Sequence, residues 1–381
     1  TQEAIERFGI NSPALSVAIP FSPTQRRDHA SRRRNWFAEL LPEGDQHDYM
    51  LAQANLRRDD VPAFLAHFGR DVAGALQIWD LDDPTEPQTP SLQPVTAATI
   101  RELLEDPVGS PLGNVARAGR TSLGGVQPKI LLARSDDAWA QAIGGHPTTH
   151  ILKPRLGGER ATVIYDEEYG SRIARGIDLA SFDTRIEEFD GLPAIVIERY
   201  DRLDGARIHQ EDLNQALGAR GNQKYQEIGG VVNLRRVSEV LRRNSPASDL
   251  RRLAERVVLA AAIGDLDMHA KNISLTHPSN AEVRLAPAYD VVPQVREGEN
   301  GRMALAINGS YRHAALNRAD LEAEISSWGL RKSAAIVEDT LARIEAIVNA
   351  QAPLPGARAD LHAQIRQFIR NLQSGAPVGA H

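Results

Sequence analysis

The 381-residue chain contains no cysteine. That excludes disulfides and thiolate metal sites, and it suits a reducing cytosol. No apolar run approaches the roughly 20 residues that cross a bilayer, and no opening segment resembles a secretory signal. No stretch repeats at a fixed period. A positive surplus is also missing. Lys and Arg number 44 against 50 Asp and Glu, a formal net charge of −6, which argues against wholesale nucleic-acid binding by the chain itself. Lysine is scarce even among the basic residues. It occurs only at Lys129, Lys153, Lys224, Lys271 and Lys332, so its placement carries information. The length is enough to bury a large core and to split into two or three domains. The chain opens on Thr1, and its natural start is expected upstream.

Periodicity predicts strands over 14–20 and 73–79, with helices over 28–41, 48–56 and 62–68 between them. The Pro-, Asp- and Thr-rich stretch 82–94 reads as a linker. A short helix (99–104) precedes strands at 129–133, 150–154 and 192–200, with a helix at 166–177. Later segments read as helices: 210–217, 231–243, 248–263, 317–328, 332–350 and 356–372. The tail 374–381 is expected to be flexible. A strand-rich half before a helix-rich half predicts two lobes with a ligand between them.

The most informative residues are Asp267, Asn272 and Asp290. They lie in Gly264-Asp265-Leu266-Asp267-Met268-His269-Ala270-Lys271-Asn272 and in Ala288-Tyr289-Asp290-Val291. An Asp, an Asn five positions on and a second Asp about 20 residues later is the order in which kinase-like folds present a catalytic base and two magnesium ligands. Mg²⁺ favours such hard oxygen donors and needs few of them, because the nucleotide completes its shell. The spacing alone fits a solvated, turn-rich loop equally well. The buried-helix pattern 257–263 before it and the strands 273–275 and 283–285 after it give the layout of a catalytic loop followed by a metal loop.

A second constellation is Arg120-Thr121-Ser122-Leu123-Gly124-Gly125-Val126-Gln127-Pro128-Lys129. Its small residues would let backbone N–H groups approach phosphates, or it is a plain hairpin turn. Lys153 ends the next strand, where a cation would pair with phosphates. Glu167 on the following helix would hold that lysine, with Glu168 adjacent. Glu198 to Tyr200, at the end of an apolar strand, would offer backbone groups to a purine, or form a strand end with a surface ion pair. The run Arg26 to Arg34 is a solvated helix face or a docking surface for an acidic partner or DNA phosphates.

Taken in order, these pieces resemble the HipA family of bacterial serine/threonine kinases, the toxin halves of HipBA-type toxin–antitoxin modules. The resemblance is carried by 121–129, 149–154, 198–202, 210–215, 267–275 and Tyr289-Asp290. Upstream, 40–44 and 69–75 resemble the family's N-terminal subdomain, whose first strands the visible start lacks. Pro128 departs from the pattern by stiffening the loop exit. The resemblance implies an α+β, two-lobed protein-kinase-like fold: an N-terminal subdomain (1–95), a kinase N-lobe with the phosphate loop (96–200) and a helical C-lobe (201–373). It implies ATP and Mg²⁺. Asp267 would be the catalytic base, with Asn272 and Asp290 as metal ligands. Ser122, Leu123, Gly124, Gly125, Val126, Lys153, Glu198, Tyr200, His269 and Lys271 would meet the nucleotide. Glu167, Gln210 and Asp212 would support them, and Ser122 would be autophosphorylated as an off switch. The implied partners are a HipB-like helix-turn-helix antitoxin, DNA mainly through that antitoxin, and a cellular protein substrate, with aminoacyl-tRNA synthetases as family precedent; the implied location of the chain is the cytoplasm. A small-molecule or lipid kinase, or a kinase-like corepressor, are the competing readings.

Overall fold

The computed structural model describes residues 2–24, 29–107, 123, 127–135, 138–278, 282–296 and 301–380. The chain forms two compact units, each assembled from separate stretches. One comprises 26–157 and 182–211; the other comprises 1–25, 158–181 and 212–381. The units are thus interleaved along the chain. Two strands after residue 181 return to the first unit's sheet, and the helix Val163–Gly176 packs on Ser333–Ala350 in the second.

The first unit is built on six antiparallel strands: β1 (Ser91–Pro94), β2 (Ile130–Ser135), β3 (Ala138–Ile143), β4 (His150–Pro154), β5 (Thr184–Phe189) and β6 (Leu192–Glu198). Their spatial order is β1-β3-β2-β4-β6-β5. Cross-strand register places Ile130 opposite Leu152 and Leu152 opposite Val196. These side chains share one face and pack with Ile100 and Leu104 of the helix Ala97–Glu105. Thr96 caps that helix by accepting a hydrogen bond from the Thr99 N–H at 3.2 Å. The segment read as a linker thus supplies β1, an edge strand. The other edge, β5, escaped the sequence reading because Arg185, Glu187 and Glu188 interrupt its apolar pattern. Charges on an edge strand discourage pairing with a further chain.

Neither predicted strand near the start forms. Residues 14–20 and 73–79 are irregular. Around the second, buried side chains take the backbone partners that a neighbouring strand would have used. Arg199 bonds bidentately to Asp201 (2.9 and 2.8 Å) and donates to the Thr148 hydroxyl and the Val72 carbonyl. Arg202 reaches Asp71 at 2.8 Å and the Gly74 carbonyl at 2.9 Å. The Gly74 N–H donates to Asp201. Burial alone would raise the Asp71 carboxyl, but Arg199, Arg202 and the Thr148 hydroxyl together hold it below the usual carboxylate range.

The second unit is mainly helical. Its centre is the helix Ala247–Ile263, in which every residue from Leu253 to Ile263 is buried. It packs against Ser333–Ala350, Leu361–Ser374 and Leu234–Asn244. The segment expected as a helix over 210–217 divides into a strand, His209–Asp212, and the helix Leu213–Leu217. Residues 375–380, expected as a flexible tail, are docked instead. Val378 is fully buried, its N–H donates to the Leu316 carbonyl at 2.7 Å, and the Asn371 amide donates to the carbonyls of Val378 and Ala380. No described helix is long and apolar enough to cross a membrane.

His313 sits beneath this core, edge-on to Phe368, with Nε2 2.7 Å from the Ala261 carbonyl. Burial lowers its imidazole pKa to about 4. Unfolded His313 takes up a proton near pH 6.5, which the folded ring refuses until about pH 4. Its stabilising contribution is therefore present above pH 6.5 and is lost as pH falls through that window, by up to about 3 kcal/mol. Urea unfolding of His313→Gln, which keeps a donor, is expected to lose less stability than the parent between pH 7 and pH 4.5. Equal losses in the two proteins would refute this account.

Candidate functional site

The helix Ala247–Ile263 ends because Gly264 adopts φ 75° and its N–H closes the last turn on Ala260. The chain then turns through Asp265, Leu266 and Asp267. The next residues are held by their own backbone: the His269 N–H donates to the Asp267 carbonyl at 2.7 Å, and the Asn272 N–H to the His269 carbonyl at 2.9 Å. Asn272 also sends its side-chain N–H to the Asp267 carbonyl at 2.9 Å. With the nitrogen committed, the amide oxygen is the atom left for a cation. Strand pairing resumes at once, Ser274–His277 with Arg284–Leu285. Buried Asp249, on the first turn of the same helix, anchors that hairpin through both oxygens to Arg284 and through the Leu285 N–H.

The Asp267 carboxylate is 40% exposed, whereas the His269 ring is buried. His269 Nε2 stands 3.8 Å from one Asp267 oxygen, and the Tyr225 hydroxyl donates to the other at 3.3 Å. The Tyr225 and His269 rings pack edge to face. Asp290 has φ 53°, a left-handed conformation that Asp tolerates better than most residues and that clusters at functional sites. The preceding residue is firmly tied: the Tyr289 hydroxyl contacts the Lys271 carbonyl at 2.5 Å and Ser274 Oγ at 2.6 Å. The fully buried Arg256 guanidinium joins the two loops, reaching Asp265 at 3.3 Å and the Tyr289 carbonyl at 3.2 Å. Burial, helped by the negative charges of Asp290 and Asp267, pushes the Asp265 carboxyl up to about 7 against the pull of Arg256. Three carboxylates, one buried and two partly exposed, thus lie within electrostatic range of one another.

The structure therefore brings Asp267, His269, Lys271, Asn272 and Asp290 into one loop cluster of the second unit. Among the described residues no group of three His, Asp or Glu is arranged around a metal position. The Asn272 amide oxygen and the Asp290 carboxylate are nonetheless a hard-donor pair of the kind that suits Mg²⁺ when a nucleotide supplies the remaining oxygens. Glu167 is buried in the helix Val163–Gly176, while its neighbour Glu168 is occupied by a bidentate pair with Arg172. Asp212 caps Leu213–Leu217 in a reciprocal capping box with Gln215, so its carboxylate has a helix-capping role.

In the first unit, Lys153 is a buried residue of β4 opposite Ile195. Glu198 is exposed and accepts from the Asp183 N–H at 3.1 Å. Tyr200 donates to the Gln210 carboxamide and packs on Phe182. Leu123 is half-buried. Ser122, Gly124, Gly125 and Val126, with Arg26, Arg27 and Asp28 of the basic run, lie outside the described residues; within that run Arg32 and Arg34 are exposed on the helix His29–Ala38.

Sequence reasoning missed Arg256, Tyr225 and Gly170, and it gave Tyr289 no role of its own. The only signal for Arg256 was a charge inside an apolar helical run. Gly170 lies mid-helix in Val163–Gly176, where glycine costs stability. Its reason is spatial: a Cβ there would stand 2.1 Å from the Val291 carbonyl oxygen. The helix can approach the residue after Asp290 only where no side chain intervenes.

Comparison with known proteins places this geometry. Residues 121–350 match the HipA-like C-terminal domain and residues 3–79 the HipA N-terminal domain. A Sinorhizobium fredii protein named as a kinase, Y4mE, is 34% identical over 302 residues, covering 75% of this chain and 69% of its own. The Shewanella oneidensis serine/threonine-protein kinase toxin HipA is 26% identical over 340 residues, covering 84% and 76%. The chain belongs to the HipA family. The solved complex of Shewanella oneidensis HipA with HipB and operator DNA shares the fold, with a TM-score of 0.77 at 23% identity over 98% of this chain and 90% of that one. The expected mixed α/β, HipA-like architecture is thus the one found.

Gly170→Ala is expected to push Val291, and Asp290 with it, off the helix. It should lower stability by about 1–3 kcal/mol, the usual cost of overpacking, and weaken nucleotide binding in the presence of Mg²⁺. Calorimetric titration of nucleotide into parent and variant checks this; unchanged affinity would show that the close approach does not position Asp290.

Proposed function

We propose that this protein is an ATP- and Mg²⁺-dependent serine/threonine protein kinase acting as the toxin of a toxin–antitoxin pair. The single observation that carries the reading is the Asn272 side-chain bond to the Asp267 carbonyl. It holds the base and one metal donor in a fixed relation, while Arg256 ties the second donor's loop to the same helix. Asp267 keeps its carboxylate partly exposed while Asp265, Met268 and His269 are buried, as a group must that meets an incoming hydroxyl. In this reading the acceptor oxygen attacks the γ-phosphorus, the bond to the β–γ bridging oxygen breaks, ADP leaves, and the hydroxyl proton passes to Asp267. Mg²⁺, held by Asn272 and Asp290, would neutralise phosphate charge. Lys153 would pair with the phosphates and Glu167 would support it; Glu198 and Tyr200 would flank the adenine, and His269 and Lys271 would approach the nucleotide from the catalytic loop. Rate enhancement would come mostly from positioning and charge compensation.

The partners follow from the family. The Shewanella relative was solved with HipB and operator DNA, which supports a HipB-like antitoxin that carries most of the DNA contact. The net negative charge of this chain agrees with that division. The exposed Arg32 and Arg34 are candidate partner contacts, and an aminoacyl-tRNA synthetase is the family-based candidate substrate.

Asp267→Asn should cut phosphoryl transfer by about 10²–10⁴-fold, the usual yield of general-base catalysis, while nucleotide still binds. Its toxicity should vanish with antitoxin binding intact; equal toxicity of variant and parent would instead favour a kinase-like corepressor.

Ser122, within the phosphate-loop sequence, is the proposed autophosphorylation site. A phosphoserine adds about −1.5 to −2 charges and would repel ATP. Ser122→Ala should bind ATP yet escape the slow self-inactivation of the parent. Mass spectrometry finding no phosphate on Ser122 after active parent protein is incubated with ATP would rule out the switch.

A further inference from the structure

Beside Asp267, wholly within the second unit, lies an open pocket of about 420 Å³. Tyr225, Ile228, Leu266, Asp267 and Met303 wall it, together with the ion pair of Glu227 and Arg302. It is far larger than a hydroxymethyl group needs. Glu227 and Arg302 face each other as a pair, Asp267 and Gln294 are the other polar side chains of the wall, and Ile228, Leu266, Met303 and Ala304 with the Tyr225 ring form its apolar part. Ile228 lines this pocket and is 52% exposed, so its side chain is accessible to an occupant.

The walls are fixed in place. The strand Arg302–Ile307 is clamped by Gln226, whose N–H donates to the Ala304 carbonyl at 3.2 Å and whose side-chain oxygen accepts from the Ala306 N–H at 2.9 Å. The Ala304 N–H donates to the Leu266 carbonyl at 2.8 Å, which ties this wall to the catalytic loop itself. The Tyr225 hydroxyl bonds Asp267 from the pocket side, at the carboxylate that an acceptor hydroxyl must reach. A pre-formed apolar wall next to a proton acceptor does not need to be ordered on binding, so its burial converts efficiently into affinity.

We propose that this pocket seats an apolar side chain flanking the acceptor serine or threonine of a protein substrate, with Ile228, Leu266 and Met303 as the specificity-determining wall. The inference rests on the catalytic reading above and adds to it the class of sequence that is phosphorylated. Glu227 and Arg302 are paired with each other, and the apolar side chains between them and Asp267 favour an occupant that buries an apolar group. The volume lies at the lower end of ordinary ligand pockets, which suits one peptide side chain and its neighbours better than a pair of acyl chains.

The test uses the full chain with ATP and a serine-peptide library randomised on both sides of the acceptor, with phosphatidylinositol vesicles in parallel. One flanking position should select Leu, Ile or Met over Asp by about tenfold or more in kcat/KM, the scale of one apolar contact. Ile228→Asp should erase that preference through the peptide KM while the ATP KM is unchanged. Because Ile228 is half exposed, the variant should melt as the parent does. A flat library profile, a preference that survives in Ile228→Asp, or vesicles labelled ahead of peptides would overturn the proposal while leaving phosphoryl transfer standing. Absence of transfer to any acceptor by the parent would overturn the catalytic reading and this one with it.

Discussion

The loop cluster around Asp267 and Asp290 depends on one buried cation. Arg256 lies midway along the helix Ala247–Ile263, in the stretch buried from Leu253 onward, and its guanidinium reaches both the carboxylate of Asp265 and the carbonyl of Tyr289. One contact fixes how the chain leaves the helix toward Asp267. The other fixes the residue before Asp290. Desolvation opposes both ions, lowering the basicity of Arg256 and raising the acid of Asp265. Such a pair contributes little net stability but is costly to break from one side. Its effect is geometric: two loops separated in sequence are referred to the same rigid helix.

The first unit uses the same device on a larger scale. Arg199 and Arg202 leave the end of β6 and gather Asp71, Asp201, Thr148 and the backbone of Val72 and Gly74 into one buried network. In this way an irregular segment of the N-terminal region is attached to the sheet without strand pairing. Hydrogen bonds to charged groups in a low-dielectric interior are strong and directional, so the attachment is specific where an apolar patch would be permissive. In both units, side-chain ionic networks order backbone that has no regular secondary structure.

Sequence periodicity rendered most of the helical unit legible. The helices Ala247–Ile263, Arg318–Ser327 and Ser333–Ala350 lie close to where apolar spacing and caps put them, because a helix is a local structure whose hydrogen bonds join near neighbours. The candidate triplet was legible for a related reason: its Asp and Asn stand at intervals that a loop can close. The strands were less so. β3 and β5 gave no clear alternation, since strand stability comes from cross-strand neighbours that are distant in sequence. The expected strand over 73–79 failed because buried arginines, 120 or more residues away, took its backbone partners.

Residue types and spacing alone determined the helical core, the family resemblance and the candidate triplet Asp267, Asn272 and Asp290. Tertiary structure alone decided the rest. It separated Glu168, held by Arg172, from Glu167, and it assigned Asp212 to a helix cap. It gave Gly170 its purpose in a backbone approach to Val291, docked the tail through Val378, and opened a pocket beside Asp267. The physical reason is common to all of these. Periodicity and capping are encoded within a few residues, whereas desolvation, close approach and cavity shape belong to side chains that meet only when the chain has folded.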